Sequence, residues 1–208
     1  MNGIVLSLCD RTGVMVRDWA DAGYECWIVD LQHEPGIHRD GNIVRVGCDL
    51  LRWLPPRKNF KAAFAFPACT DLAVSGARWF KDKGLSGLGS AIELVERCRD
   101  IVEWCECPWL LENPIGTLST YWRKPDYQFD PCDFAGYLDD PKIDAYTKRT
   151  CLWTGGGFVM PETRPVVPIH GSKMHRLPPS VERANLRSVT PAGFAKAVFD
   201  ANCNLQST

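Results

Sequence analysis

The chain has 208 residues, 45% apolar and 24% charged, an ordinary globular composition with enough length for one well-filled core. Its 24 Lys and Arg against 25 Asp and Glu give a formal net charge of −1, which excludes a strongly basic nucleic-acid coat and a polyanionic tail alike, so any charged surface must be local. No apolar run approaches the roughly 20 residues needed to span a bilayer, and Met1-Asn2-Gly3-Ile4-Val5-Leu6 lacks the basic flank of a signal peptide, so a cytoplasmic protein is expected.

In chain order, Gly3-Ile4-Val5-Leu6-Ser7-Leu8 reads as a buried strand, followed by a polar turn through Asp10, Arg11 and Gly13 and a helix from about Val14 to Ala22. Gly23 closes that helix, and Cys26-Trp27-Ile28-Val29-Asp30 is a second short strand ending in an acid. A third strand is expected at Ile43-Val44-Arg45-Val46 and a fourth at Ala62-Ala63-Phe64-Ala65-Phe66, stopping at Pro67. From Ala91 to about Cys105 apolar residues recur at helical spacing, the clearest amphipathic helix of the chain. Trp109-Leu110-Leu111 gives another strand, Cys151-Leu152-Trp153 one more, and Pro191 opens a C-terminal helix to about residue 202. Alternating strands and helices predict one α/β domain with a mostly parallel open sheet, whose ligands bind beyond the carboxyl ends of the strands.

Ten cysteines with most inside apolar runs are expected to be buried thiols rather than a disulfide framework. Cys98, Cys105 and Cys107 cluster, but their spacing fits no common zinc pattern and no metal is expected. The four histidines, His33, His38, His170 and His175, fall in expected loops. Residues from about 124 to 187 read as long loops with a basic bias: between Lys142 and Arg187 stand eight Lys or Arg and three acids. Such a segment is either a solvated surface or a contact for phosphate.

Two strand ends carry reactive groups. In Phe66-Pro67-Ala68-Cys69-Thr70-Asp71-Leu72-Ala73-Val74-Ser75-Gly76-Ala77 a thiol sits in a loop just past a buried strand, and Leu110-Leu111-Glu112-Asn113-Pro114-Ile115-Gly116 sets a carboxylate at the end of another. Alone, the first is an ordinary packed thiol and the second a turn residue. Together, Pro-x-Cys, then Glu-Asn-x, then a Thr-Pro-x-x-x-Ala helix start, laid over a βαβ opening, resemble the cytosine-C5 DNA methyltransferase family from about Val5 to Asn202.

The resemblance implies a Rossmann-like S-adenosylmethionine-dependent methyltransferase fold in which Cys69 attacks C6 of cytosine. Glu112 would bond the ring at N3 and the exocyclic amine, and Arg149, in Lys148-Arg149-Thr150-Cys151-Leu152-Trp153, would support the target base. Asp10 and Gly13 in the first turn, Asp30 at the ribose, Asp49 near the adenine amine, Pro67 and Thr190 are implied at the S-adenosylmethionine cofactor. The implied partner is DNA containing cytosine, and compact proteins of this look are familiar from bacteriophage genomes.

Three departures qualify the pattern. The first turn reads Cys9-Asp10-Arg11-Thr12-Gly13-Val14 where the family shows Phe-x-Gly-x-Gly-Gly, which points to altered cofactor binding, a different cofactor or none. Pro114 stands where the family has Val, and Thr70 where it has Gln. The 33 residues from Gly155 to Arg187 leave no room for a target-recognition domain. DNA would then be read by the basic loop or through a specificity partner protein, or the substrate would be a free cytosine nucleotide. An inert descendant that binds DNA, a nucleotide or a defence protein is the remaining alternative.

Overall fold

The computed structural model describes residues 2–55, 59–73, 80–178, 180 and 182–204. Val74-Ser75-Gly76-Ala77, the tail of the Cys69 segment, lie outside the described residues. Ile4–Leu8 (β1) is buried along its whole length, as a strand covered on both faces must be. A short 3-10 turn at Val14–Val16 and a helix at Arg17–Asp21 (α1) follow, then Glu25–Asp40 (β2), Ile43–Gly47 (β3) and Phe60–Ala65 (β4). Phe80–Trp104 (α2) leads to Trp109–Pro114 (β5), Leu118–Tyr121 (α3), Tyr127–Phe129 (β6) and Thr150–Gly155 (β7). Arg183–Ser188 (α4) and Ala192–Asn202 (α5) complete the described elements.

The strands form one sheet in the order β3-β2-β1-β4-β5-β7-β6. β1 pairs in parallel with β2 and β4, and β4 with β5, whereas β7 runs antiparallel to both β5 and β6. The result is the mostly parallel α/β sheet read from the sequence, with its first five strands in the 3-2-1-4-5 order of a doubly wound sheet. The period-2 alternation splits the apolar residues between two cores. Leu6, Leu8, Val29, Ala65, Leu111 and Trp153 meet Val95, Cys98 and Ile101 of α2 on one face. On the other, Val5, Ile28, Phe64, Leu110 and Leu152 meet Trp19 of α1 and Phe194 and Val198 of α5.

Two elements exceed their expected bounds. β2 does not stop at Asp30. Its register with β3 runs in parallel from Cys26↔Ile43 to Asp30↔Gly47 and then reverses from Gly36↔Gly47 to Asp40↔Ile43, so residues beyond Asp30 fold back as a hairpin on the outer edge of β3. His33 and His38, expected in loops, therefore lie on this strand. α2 begins well before Ala91, but Gly84 (φ 68°) breaks its first turns from the rest, and the amphipathic stripe that buries Val95, Cys98, Ile101 and Val102 starts only beyond that break.

The segment 124–187 holds β6, β7, α4 and several single 3-10 turns. One of its residues organises the C-terminal helix: buried Asp144 accepts a hydrogen bond from the Gly193 N–H at 2.8 Å, satisfying a first-turn donor of α5 from 49 residues upstream. Gly193 itself allows the approach, since a Cβ there would stand 2.4 Å from the Phe134 carbonyl oxygen. Among the described residues no helix is long and apolar enough to cross a membrane.

Candidate active site

Strand order reverses between β1 and β4, and an open α/β sheet forms its ligand crevice beside such a reversal. Read across the carboxyl edge, β3 is followed by Asp49, β2 carries Asp30, β1 leads into the Asp10–Gly13 turn, β4 into the Cys69 loop, and β5 carries Glu112. Adjacent strands are about 4.8 Å apart, so this is a row of functional groups on a pitch set by the sheet. Because β7 is antiparallel, its entry rather than its exit reaches the same edge and delivers Lys148.

The Cys69 loop is fastened to the end of β5. The Asn113 amide donates to the Pro67 carbonyl at 3.0 Å, and Leu72 and Ala73 donate their N–H groups to the Cys69 carbonyl at 3.0 and 2.9 Å. Ala73 bridges to Gly116, and the Thr117 N–H reaches the Leu72 carbonyl at 2.9 Å. Cys69 is half-buried. Burial pushes its thiol up, the Glu112 charge adds to that, and Lys148, Arg187 and its own backbone hydrogen bond pull it back. The structure thus brings Cys69 and Glu112 to one site.

Burial likewise pushes Glu112 above the usual carboxylate range, against the opposing pull of Lys148 and the Thr150 hydroxyl. Glu112 shares its sheet face with Leu110, and its antiparallel partner is Leu152. With Phe66, Lys148, Phe129 and Thr190 it lines a narrow cleft. Ser188, Pro191 and Phe194 close the remaining side. Thr190 is thus beside the carboxylate, while buried Pro67 serves as the anchor of the thiol loop.

Arg149 is placed differently. It is exposed and pairs with Asp130 at 3.3 Å, and neither Cys69 nor Glu112 feels its charge strongly. Lys148 is the cation that faces them. Strand alternation contained that signal: residues 148, 150 and 152 share the Glu112 face, whereas 149, 151 and 153 point to the other. Much of the remaining basic bias is internally engaged, with Arg164 over the Tyr137 ring at 4.1 Å and Lys173 over Tyr146 at 4.2 Å.

At the other end of the row, Asp10 is buried and fully used by its own turn. Its Oδ1 accepts from the N–H groups of Thr12 (3.0 Å) and Gly13 (2.7 Å), and its Oδ2 from the Ser7 hydroxyl (2.7 Å). Gly13 takes the left-handed conformation (φ 68°) that lets the chain enter the 3-10 turn. Arg11 does not enter the crevice: it meets Glu182 at 3.0 Å on the surface, and its carbonyl contacts His33 Nε2 at 3.1 Å. Half-buried Asp30 accepts from the Gln32 N–H through Oδ1 (2.7 Å), while Oδ2 has no hydrogen-bond partner among the described residues. Exposed Asp49 accepts from the Leu51 N–H at 3.0 Å and pairs with Arg52 at 3.8 Å.

Of the remaining thiols, Cys9, Cys48 and Cys203 are half-buried like Cys69 and six are more deeply placed. Cys26, Cys98, Cys105, Cys107, Cys132 and Cys151 are buried, and burial pushes Cys26 up to about 12. All ten cysteines are free, with Cys9 and Cys98 sulfurs 3.9 Å apart.

No family model matches the chain, and neither does any curated protein. Among solved structures it is similar to the CcbJ methyltransferase from Streptomyces caelestis, at 13% identity over 62% of this chain and 49% of that one, with a TM-score of 0.32. It is also similar to the glycopeptide N-methyltransferase MtfA, at 15% identity over 61% of this chain and 52% of that one, TM-score 0.29. A second MtfA structure, complexed with S-adenosyl-L-homocysteine, gives 14% identity, coverages of 62% and 52%, and the same TM-score. The chain spans about half the length of these structures.

Proposed function

We propose that the chain is an S-adenosylmethionine-dependent methyltransferase that modifies carbon 5 of cytosine in DNA, with Cys69 as nucleophile and Glu112 as its proton partner. The observation that carries this reading is the adjacency of a half-buried thiol and a desolvated carboxylate on neighbouring strand ends, with a lysine whose charge acts on both. Asp30 fits a ribose, since one carboxylate oxygen at the exit of β2 is held by Gln32 and the other is available. Asp49 would face the adenine end, and Gly13 would let the first turn pass close beneath the cofactor. When bound, S-adenosylmethionine supplies an electrophilic methyl group.

The residues of this chain prepare the ring to receive it. Burial keeps the Cys69 thiol protonated at rest, so its proton must leave as sulfur attacks. Glu112 takes the Sγ–H proton, and Sγ forms its bond to C6 as the C5–C6 electron pair shifts toward C4. The Glu112 proton then passes to N3, so no net charge builds on the ring. Lys148 stabilises both anionic forms and keeps the thiol-to-carboxylate transfer within reach.

Covalent capture tests the reading. Incubation with S-adenosylmethionine and an oligonucleotide carrying 5-fluorocytosine should give a denaturation-resistant complex through Cys69, absent in Cys69→Ser. Capture that persists in Cys69→Ser overturns the assignment. A second reading, a free cytosine nucleotide as substrate, is favoured by the absence of any separate folded unit between β7 and α4 among the described residues. Methylation of dCMP with none of DNA would select it.

A further inference from the structure

The family pattern leaves Arg11 unexplained, and the narrow cleft beside Glu112 has Ser188 of α4 in its wall. Both observations lead to α4. Its approach is tied to the β1 and β2 exits: Glu182 pairs with Arg11 at 3.0 Å, and Asn185 accepts from the Gln32 side chain at 3.2 Å. The Asn185 amide also donates to Glu182 at 3.0 Å, so the two anchors brace each other. Its far end closes the cleft with Ser188, beside Glu112 and Lys148.

We propose that α4 is a strap across both halves of the site, anchored by the Arg11–Glu182 pair, which opens to admit a base and on closing sets Arg187 as a positioning residue for the Cys69 thiolate. Arg187 adjoins Ser188, which lines the cleft with Glu112 and Lys148, and with Lys148 it is one of two cations that attract that thiolate against the charge of Glu112. The arginine in the first turn is then a strap anchor rather than an intruder at the cofactor. Both partners of the pair are about half exposed, at 43% and 58%, so the anchor is weak enough to release within a catalytic cycle.

The role assigned to Arg187 rests on the proposed nucleophile, but its test needs neither DNA nor cofactor. The pH dependence of Cys69 alkylation by iodoacetamide, followed by mass spectrometry of the Cys69 peptide, separates two quantities. Its midpoint reports thiolate stability and its alkaline plateau reports access. Arg187→Ala should move the midpoint upward, slowing alkylation below it about threefold, or about half a pKa unit, while Arg187→Lys should stay near wild type. Arg11→Ala should raise the plateau and shift the midpoint in the same direction, and the swap Arg11→Glu with Glu182→Arg should restore both.

Sodium chloride at about 1 M, which screens an exposed pair, should reproduce the Arg11→Ala profile in the wild-type chain without any substitution. An unchanged midpoint in Arg187→Ala overturns the role of Arg187. An unchanged profile in both Arg11→Ala and high salt overturns the strap. Failure of covalent capture with these shifts intact would remove the methyl-transfer reading and leave the strap standing.

Discussion

Gly116 offers a sharp perturbation of the geometry between the Cys69 thiol and the Glu112 carboxylate. It lies beyond the end of β5, where Ala73 of the thiol loop bridges to it. An added Cβ would stand 2.0 Å from the Leu72 carbonyl oxygen, 2.8 Å from its carbon and 3.1 Å from Ala73 Cα. All three are backbone atoms, so no side-chain rotation relieves the overlap. To recover ordinary contact, the 69–73 segment must retreat by more than about 1 Å. That retreat stretches the 2.9 Å Thr117 N–H bond to Leu72 and carries Cys69 with it, because Leu72 and Ala73 both donate to the Cys69 carbonyl. Gly116→Ala should therefore lower the single-turnover rate of covalent capture by about 10²-fold, the order expected for a misplacement of that size. It should also destabilise the fold by about 1–3 kcal/mol through overpacking, read by thermal unfolding. The control is Gly89→Ala in α2, where nothing described lies within 4 Å. There the added methyl should stabilise the helix by up to about 1 kcal/mol with capture unchanged. A Gly116→Ala protein that captures within about threefold of wild type would refute the argument that backbone contact sets the Cys69–Glu112 spacing.

Glu112→Gln should reduce capture by about 10²-fold or more, as expected for loss of a proton-transfer group. The same change should raise the melting temperature at neutral pH. Glu112 has a folded pKa above its unfolded value, so the folded chain holds the proton more tightly and the ionised carboxylate costs stability as pH rises past the unfolded value. The gap between the two proteins should close on acidification toward that unfolded value, near about 4.3, and an equal gap at both ends of the range would contradict the burial argument. Lys148→Ala removes the cation that lowers both Cys69 and Glu112, so the alkaline limb of the capture profile should move upward, whereas Arg149→Ala should leave it in place. Asp144→Ala strips α5 of its remote cap and should cost about 1–2 kcal/mol, a fall in melting temperature of about 2–8 °C, with Asn a partial substitute.

How far the sequence disclosed this molecule depended on how local each signal was. The strands β1, β4 and β5 are short apolar runs bounded by polar or proline residues, and their burial on both faces makes them legible without any partner. The amphipathic stripe of α2 beyond Gly84 is likewise local, but its opening turns hold Gly84, Gly87 and Gly89 and lack any stripe to read. The second half of β2 was hidden for a different reason. Residues 31–40 are mostly exposed and polar, and their strand character comes from pairing with β3, which no residue pattern within the segment announces. Cys69 and Glu112 stand out in the sequence because one follows and the other ends a recognisable strand, and because together they resemble a family motif. Lys148 and Arg187, whose charges reach Cys69, do not stand out, because one lies beside a more conspicuous arginine and the other sits on a helix that only tertiary contacts place.

The union of α5 with α1 sets a timetable for synthesis of the chain. Trp19 is covered by Phe199 at 5.3 Å, and the Tyr24 hydroxyl donates to the Cys203 carbonyl at 3.1 Å, contacts that join residues almost 180 positions apart. At roughly 5–20 residues per second, the ribosome needs on the order of 10–40 s between making Trp19 and making Phe199. Throughout that interval the indole face lies bare, the α5-side core is unsealed and one wall of the cleft is missing. A nascent chain can therefore hold its thiol and its carboxylate long before it can close the cleft beside them, and chaperone demand should concentrate on the uncovered Trp19 face.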